Sequence, residues 1–242
     1  ALGSVLQLIV SSLGLIGLCF DYDFKMHWRN LGFRKVLKLL PARSVDQGMD
    51  YGVSLVEINL ASRMADGTIR AYQQALTLHM MPINLIGVAI SNAAFPKLTE
   101  RLGEGRDDLF RSDLRRILRV IIWLALPVAT ITFFTRGYVV HFIRNAGDPL
   151  MAGILGALCI AILFRTIYHM AARAFYARQD TKTPLYISFV SIGLNVILAI
   201  LLSTTFDMGA YGLAWAQSIV AVVEVAILFV VMERQMPKLI DK

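Results

Sequence analysis

One stretch of the sequence carries a ladder of groups suited to holding an anion. Arg165, His169, Arg173 and Tyr176 follow i, i+4, i+8, i+11 spacing, which stacks them along one side of an α-helix. Arg165 stands about 16 Å along the helix axis from Tyr176. A planar guanidinium can hold two phosphate oxygens at once, so arginines at graded depth suit a phosphate-bearing headgroup. The competing reading is snorkelling toward an interface, which accounts for Arg173 with less strain than for Arg165.

A second set is acidic. Asp46, Asp50 and Glu57 fall within about 40° of one another on a helix, forming one stripe that must face protein or a water-filled cavity. Carboxylate and amide oxygens suit Na⁺ or a proton relay, which makes Glu57, Asp50, Asn195 and Gln217 candidate cation-binding residues. Alternatively, Asp46 and Asp50 only pair with Arg43 or nearby loop bases. A third set is neutral. Gln73, Thr77, Asn84 and Ser91 share a helix face that either lines a substrate cavity or bonds helices together. His79 lies off that stripe and reads as a packing residue. No Walker loop, HExxH, GxSxG or CxxC is present, so no enzyme constellation emerges. Cys19 and Cys159 read as small buried hydrophobes.

These side chains sit in an apolar chain. Of 242 residues, 57% are hydrophobic and 17% charged, with mean hydropathy +0.61. Such a composition excludes an ordinary soluble domain. Six runs reach the roughly 20 residues needed to span a bilayer: 42–62, 71–95, 116–138, 150–174, 185–204 and 209–232. Pro82 and Pro127 fall inside spans and should kink them or free a carbonyl. Residues 1–19 read as a further helix entered partway, without Met or a basic leader, so the chain is expected to be a portion of something longer. Residues 20–41 form a basic linker, of which 27–40 is amphipathic and suited to the membrane interface. Residues 42–233 are expected to form a six-helix bundle, followed by a cytoplasmic tail over 234–242.

Charge then orients the bundle. Lys and Arg concentrate in 21–43, 97–119, 173–182 and the tail, and are sparser in 63–70, 137–149 and 203–208. By the positive-inside rule the first group is cytoplasmic. The net charge of +7 thus serves orientation and contact with anionic phospholipids. Nucleic-acid binding is not expected, because the bases lie between apolar spans and not on one soluble face.

The stretch Ala174-Phe-Tyr-Ala-Arg-Gln-Asp-Thr-Lys-Thr-Pro184 closely resembles the loop between the tenth and eleventh helices of the MurJ/MviN flippases. Gly3-Ser-Val-Leu-Gln-Leu8, Leu60-Ala-Ser62, Pro82-Ile-Asn-Leu-Ile-Gly-Val-Ala89 and Phe95-Pro-Lys-Leu98 match in the family's order. The resemblance implies an all-α, polytopic transmembrane bundle, the C-terminal-lobe portion of a fold of the MOP exporter superfamily. Residues 1–19 would be helix 6 and the full spans helices 7–12, partnered by a preceding lobe of the same protein. It also implies a function: non-hydrolytic flipping of lipid II, the undecaprenyl-linked peptidoglycan precursor, across the bacterial inner membrane by alternating access. Arg173 matches the family, whereas His169 stands where members often carry Lys, and Thr77 where they commonly carry Arg. The rivals are a polysaccharide-lipid or multidrug exporter of the superfamily, and a non-transporting scaffold that keeps the fold.

Overall fold

The structure, a computed structural model, describes residues 51–144 and 147–235. The expectations for residues 1–19, the linker 20–41, Asp46, Asp50, Cys19 and the tail beyond Gln235 lie outside the described residues. Seven helices follow in order: α1 (51–62), α2 (Thr68–Pro82), α3 (Ala89–Gly103), α4 (Asp107–Arg144), α5 (Pro149–Ala177), α6 (Lys182–Ile200) and α7 (Ala210–Gln235). Among the described residues there is no strand.

α2 and α3 form one continuous helix of 36 residues, joined by a π-helical turn over Ile83–Val88. Pro82 begins that turn because it lacks the N–H that an α-helix needs and crowds the preceding turn. The insertion rotates everything beyond it, so α3 does not continue the faces of α2. The helix also runs past the expected end at residue 95. The basic stretch 97–119 shrinks to a short turn, with α3 ending at Gly103 and α4 starting at Asp107. Its acids explain why: Asp113 of α4 pairs with Lys97 at 3.3 Å and Arg101 at 3.5 Å, holding two antiparallel helix ends together. A second π-helical turn, Leu201–Thr205, closes α6. Gly212 packs so closely on it that an added Cβ would lie 2.6 Å from the Leu202 carbonyl carbon.

α5 is the central element and is buried along most of its length. It starts with Asp148, whose Oδ1 accepts from the Met151 amide at 3.1 Å, and with Pro149 at the first helical position, a standard N-terminal arrangement. Small residues let α7 approach it closely: Ala157 and Ala161 lie against Ser218, whose hydroxyl donates to the Ala157 carbonyl at 2.6 Å. Such small, hydroxyl-bearing contacts suit helices packing where burial alone gives no driving force. Leu98, Phe110, Leu114, Met170, Phe175 and Leu228 fill the core near one end of the bundle. Tyr72, Met151, Ile154, Leu155 and Leu213 belong to the core toward the other. Outside, α4 exposes Trp123, Phe134, Tyr138 and Phe142, each more than 70% accessible. Among the described residues five helices, counting α2–α3 as one and α6 with its π-turn, are long and apolar enough to cross a membrane.

Candidate functional site

Glu57 leaves α1 pointing into the bundle and is only 1% exposed. A buried carboxylate needs partners, and α7 supplies one: Gln217 Nε2 donates to Glu57 Oε1 at 2.7 Å. The other end of that amide faces α5, where Arg165 Nη2 donates to Gln217 Oε1 at 3.0 Å. Gln217 therefore relays between an anion and a cation, and the two contacts fix which way its amide points. Arg165 also approaches Glu224 of α7, with Nη1 3.9 Å from Oε2. Glu224 is 4% exposed.

These groups line one cavity of about 460 Å³ together with His79, His169, Arg173, Ser191 and Asn195. Five of its helices contribute: α1, α2, α5, α6 and α7. His79 Nδ1 donates to the Leu76 carbonyl at 2.7 Å, and the Tyr168 and Ser188 hydroxyls share a hydrogen bond of 3.3 Å between α5 and α6. Among the described residues the buried Asn195 Oδ1 and Ser191 Oγ, of residues lining the cavity, have no hydrogen-bond partner, and neither does the Tyr72 hydroxyl, which approaches Glu57 without hydrogen-bond geometry. Arg173 and Tyr176 line the same cavity, so the whole arginine-histidine ladder faces it. The cavity thus sets cationic groups on the α5 ladder together with oxygen donors from Glu57, Asn195 and Ser191.

Of the sequence-predicted residues, Arg165, His169, Arg173, Glu57, Asn195 and Gln217 thus come together. Gln73, Thr77 and Asn84 do not. All three are exposed and lie outside this cavity, and the Thr77 hydroxyl donates back to the Gln73 carbonyl at 2.9 Å. Gln73 instead borders a hollow of about 280 Å³ beside the α1–α2 turn. Ser91, expected on their stripe, is fully buried, because the π-turn between them shifts the helical phase. Asp50 lies outside the described residues. Glu224 was missed, although an acid within the apolar run 209–232 carries the same signal that singles out Glu57.

On its opposite flank α5 borders a second concavity, of about 440 Å³, between α4, α5 and α7. Its lining is mostly apolar, from Leu126 and Phe133 to Leu163, Phe164 and Trp215. One arginine, Arg136, lies over the Phe133 ring at 4.3 Å and donates to the Phe133 carbonyl.

Away from the membrane-spanning segments, the α5–α6 connection is built tightly. Gln179 adopts left-handed backbone with φ 62°, and the amides of Asp180 and Gln179 donate to the Phe175 and Tyr176 carbonyls, closing α5 in a Schellman motif. Asp180 then caps α6 by accepting from the Lys182 and Thr183 amides, both at 3.1 Å, and from the Thr183 hydroxyl at 2.6 Å. Partial burial pushes the Asp180 carboxyl up, but the bonds from Thr183, Gln235 and Lys182 outweigh it and hold the group below the usual carboxylate range.

Comparison with known proteins follows the same lines. The family profile described as "Lipid II flippase MurJ" matches residues 1–242. A probable lipid II flippase MurJ of Haemophilus influenzae is 31% identical over 199 residues, covering 71% of this chain and 36% of that protein. One of Rhizobium tropici is 24% identical over 242 residues, covering 96% of this chain and 44% of its own length. The chain therefore spans less than half the length of these curated relatives. Among solved structures, a lipid II flippase MurJ in an inward closed conformation gives a TM-score of 0.73 at 22% identity, over 93% of this chain and 48% of that one. An outward-facing multidrug resistance MATE transporter of the MOP superfamily gives 0.77 at 12% identity, over 85% of this chain and 46% of its own.

Proposed function

We propose that this chain, which belongs to the lipid II flippase MurJ family and is a multi-pass membrane protein with the fold of MOP-superfamily transporters, forms one lobe of a flippase for lipid-linked peptidoglycan precursor. The cargo would be lipid II, passed across the bacterial cytoplasmic membrane by alternating access against a preceding lobe of the same protein. The observation that carries this reading is the single cavity into which Arg165, His169 and Arg173 all open. Guanidiniums at graded depth can draw a pyrophosphate inward while the prenyl tail stays in lipid. The work is transport and not hydrolysis.

Na⁺ or a proton would be held by Glu57, with Asn195 supplying an oxygen and Gln217 fixing the carboxylate. The fit rests on the unsatisfied Asn195 Oδ1 and Ser191 Oγ of residues that line the same cavity as a fully buried acid. Oxygen donors of this kind suit a hard monovalent cation, which supplies the charge that a buried carboxylate otherwise lacks. The basic α3–α4 and α5–α6 turns would face the cytoplasm and anionic phospholipids.

Two measurements test the reading in the full-length protein. Cells depleted of their own flippase should be rescued by the wild type and not by Arg165→Ala or Arg173→Ala at equal expression. Full rescue by both variants would remove the headgroup assignment. Single cysteines at Arg106 and Arg178 should resist membrane-impermeant thiol reagents in whole cells while one at Asp207 labels. The reverse pattern would overturn the orientation.

A further inference from the structure

We infer that Arg165 is a shared counter-ion, claimed by buried carboxylates when the cavity is empty and by an anionic headgroup when it is filled, so that anion and cation enter the cavity together. The inference rests on the proposed headgroup role of Arg165 and adds what happens to the groups it leaves.

The geometry gives Arg165 two anionic claims. Through Gln217 it reaches Glu57, with links of 3.0 Å and 2.7 Å, and directly it meets Glu224 at 3.9 Å. The latter contact is long for a charge-assisted bond, which at its strongest lies near 2.7–2.9 Å, so the guanidinium is held loosely enough to be taken. It is also the most accessible of the three charged groups: its side chain is 23% exposed, against 5% for Glu224, while Glu57 as a residue is 1% exposed. An incoming anion therefore meets the cation first.

What Arg165 leaves behind cannot stay as it is. The charged and titratable groups of the cavity and around Glu57 are Tyr72 and His79 from α2, Arg165, Tyr168, His169, Arg173 and Tyr176 from α5, and Glu224 from α7, while the polar groups that α6 adds are Ser188, Ser191 and Asn195, none of them charged. Among these, Arg165 is the cation joined to Glu57 through a shared hydrogen-bond partner, Gln217. When a pyrophosphate turns the guanidinium away, Gln217 loses the donor that orients it and Glu57 keeps a buried negative charge in low dielectric. Such a charge is strongly unfavourable without a partner. A proton or Na⁺ restores the balance, and the unsatisfied Asn195 and Ser191 oxygens belong to residues lining the same cavity. No bond is made or broken; one cation replaces another at Glu57.

Linkage makes this testable in both directions, because an anion that promotes cation binding must be promoted by the cation to the same factor. The probe is farnesyl pyrophosphate, added to purified full-length protein in nanodiscs. Its affinity should rise at least about fivefold either when Na⁺ replaces choline or with measurable proton uptake at constant buffer. Glu57→Gln, which is already neutral, should bind the probe more tightly and lose that linkage. In an Arg165→Ala background the same Glu57→Gln change should give no gain, which separates release of Arg165 from a general loss of negative charge. Should the glutamate variants fold poorly, the wild type alone decides, since Na⁺ binding or proton uptake must then rise when the probe is added. Binding that needs Arg165 but shows neither Na⁺ nor proton linkage would overturn the inference and leave the headgroup reading intact. Binding indifferent to Arg165→Ala would overturn both.

Discussion

The two concavities flanking α5 are nearly equal in volume, and arginine lines both, Arg165 and Arg173 in the polar one and Arg136 in the apolar one. What differs is where the arginine's hydrogen bonds go. Arg136 is satisfied within its own helix, by the carbonyl and ring of Phe133, three residues away. Arg165 reaches residues 52 and 59 positions along the chain, on a different helix, and through Gln217 it reaches a third. An arginine spent locally is a long side chain finding a comfortable place beside lipid. One whose contacts join three helices is placed by the fold, and its guanidinium can be exchanged between partners.

The largest expected effect would separate these two arginines. In full-length protein, Arg165→Ala should lower transport by more than about tenfold, corresponding to about 1.4 kcal/mol or more of lost interaction. Arg165→Lys should fare little better, because one ammonium cannot reproduce a two-pronged contact. Arg136→Lys should change transport less than about twofold, since a lysine stem snorkels equally well. Matched loss at both positions, at equal expression, would erase the distinction.

The glycines on the two flanks give the next test. Gly87, in the π-turn beside the polar cavity, lies on backbone: an added Cβ would stand 3.0 Å from Thr166 Cα and 3.1 Å from its carbonyl oxygen. Gly156, on the apolar side, would meet only the Arg136 side chain, at 2.9 Å from Cδ. Backbone in a packed helix pair cannot step aside, so Gly87→Ala should cost about 1–3 kcal/mol by overpacking. Gly156→Ala should cost under about 0.5 kcal/mol once the flexible arginine moves. Thermal unfolding in nanodiscs reads both, and an equal drop would mean the two flanks are equally rigid.

The architecture was legible because span length, apolar runs and loop charge each depend on residues close together in sequence. The ladder Arg165–His169–Arg173 was legible for the same reason, being a pattern within one unbroken helix. The Gln73–Thr77–Asn84–Ser91 stripe breaks at its last member, Ser91, which is buried while the other three are exposed: Pro82 starts a π-turn, and a constant 100° per residue no longer applies across it. Periodicity also treated the acid of α1 and the arginine of α5 as separate sites. Their joining through Gln217 is a contact between helices, and no spacing along one helix encodes it. Glu224 needed no structure. A lone carboxylate in an apolar span is expensive wherever it falls.

The polar concavity reaches Tyr176, one residue short of where α5 stops, whereas the apolar one takes nothing of α5 beyond Phe164, and the smallest effects belong to that end. Asp180→Ala removes three hydrogen bonds at the start of α6 and should cost about 1 kcal/mol, as for other helix caps. Because the folded state holds the Asp180 carboxyl below its ordinary value, the stabilisation is fully present above the unfolded pKa of about 3.9 and fades as pH falls through the lower folded one. Between pH 5 and 8, then, wild type and Asp180→Ala should keep a constant gap in stability, closing only under acid. Gln179 is the finer probe. Its φ of 62° suits glycine, and left-handed backbone costs a side-chain-bearing residue about 1–2 kcal/mol. Glycine gives back part of that through the looser unfolded chain, about 0.4–1 kcal/mol, so Gln179→Gly should stabilise by roughly 0.5–1 kcal/mol. If the turn only ends one helix and begins the next, this gain should leave the contrast between Arg165 and Arg136 untouched. A stabilised protein that no longer transports would instead give the Gln179 side chain a task in transport, tying the loop to the polar side of α5 alone.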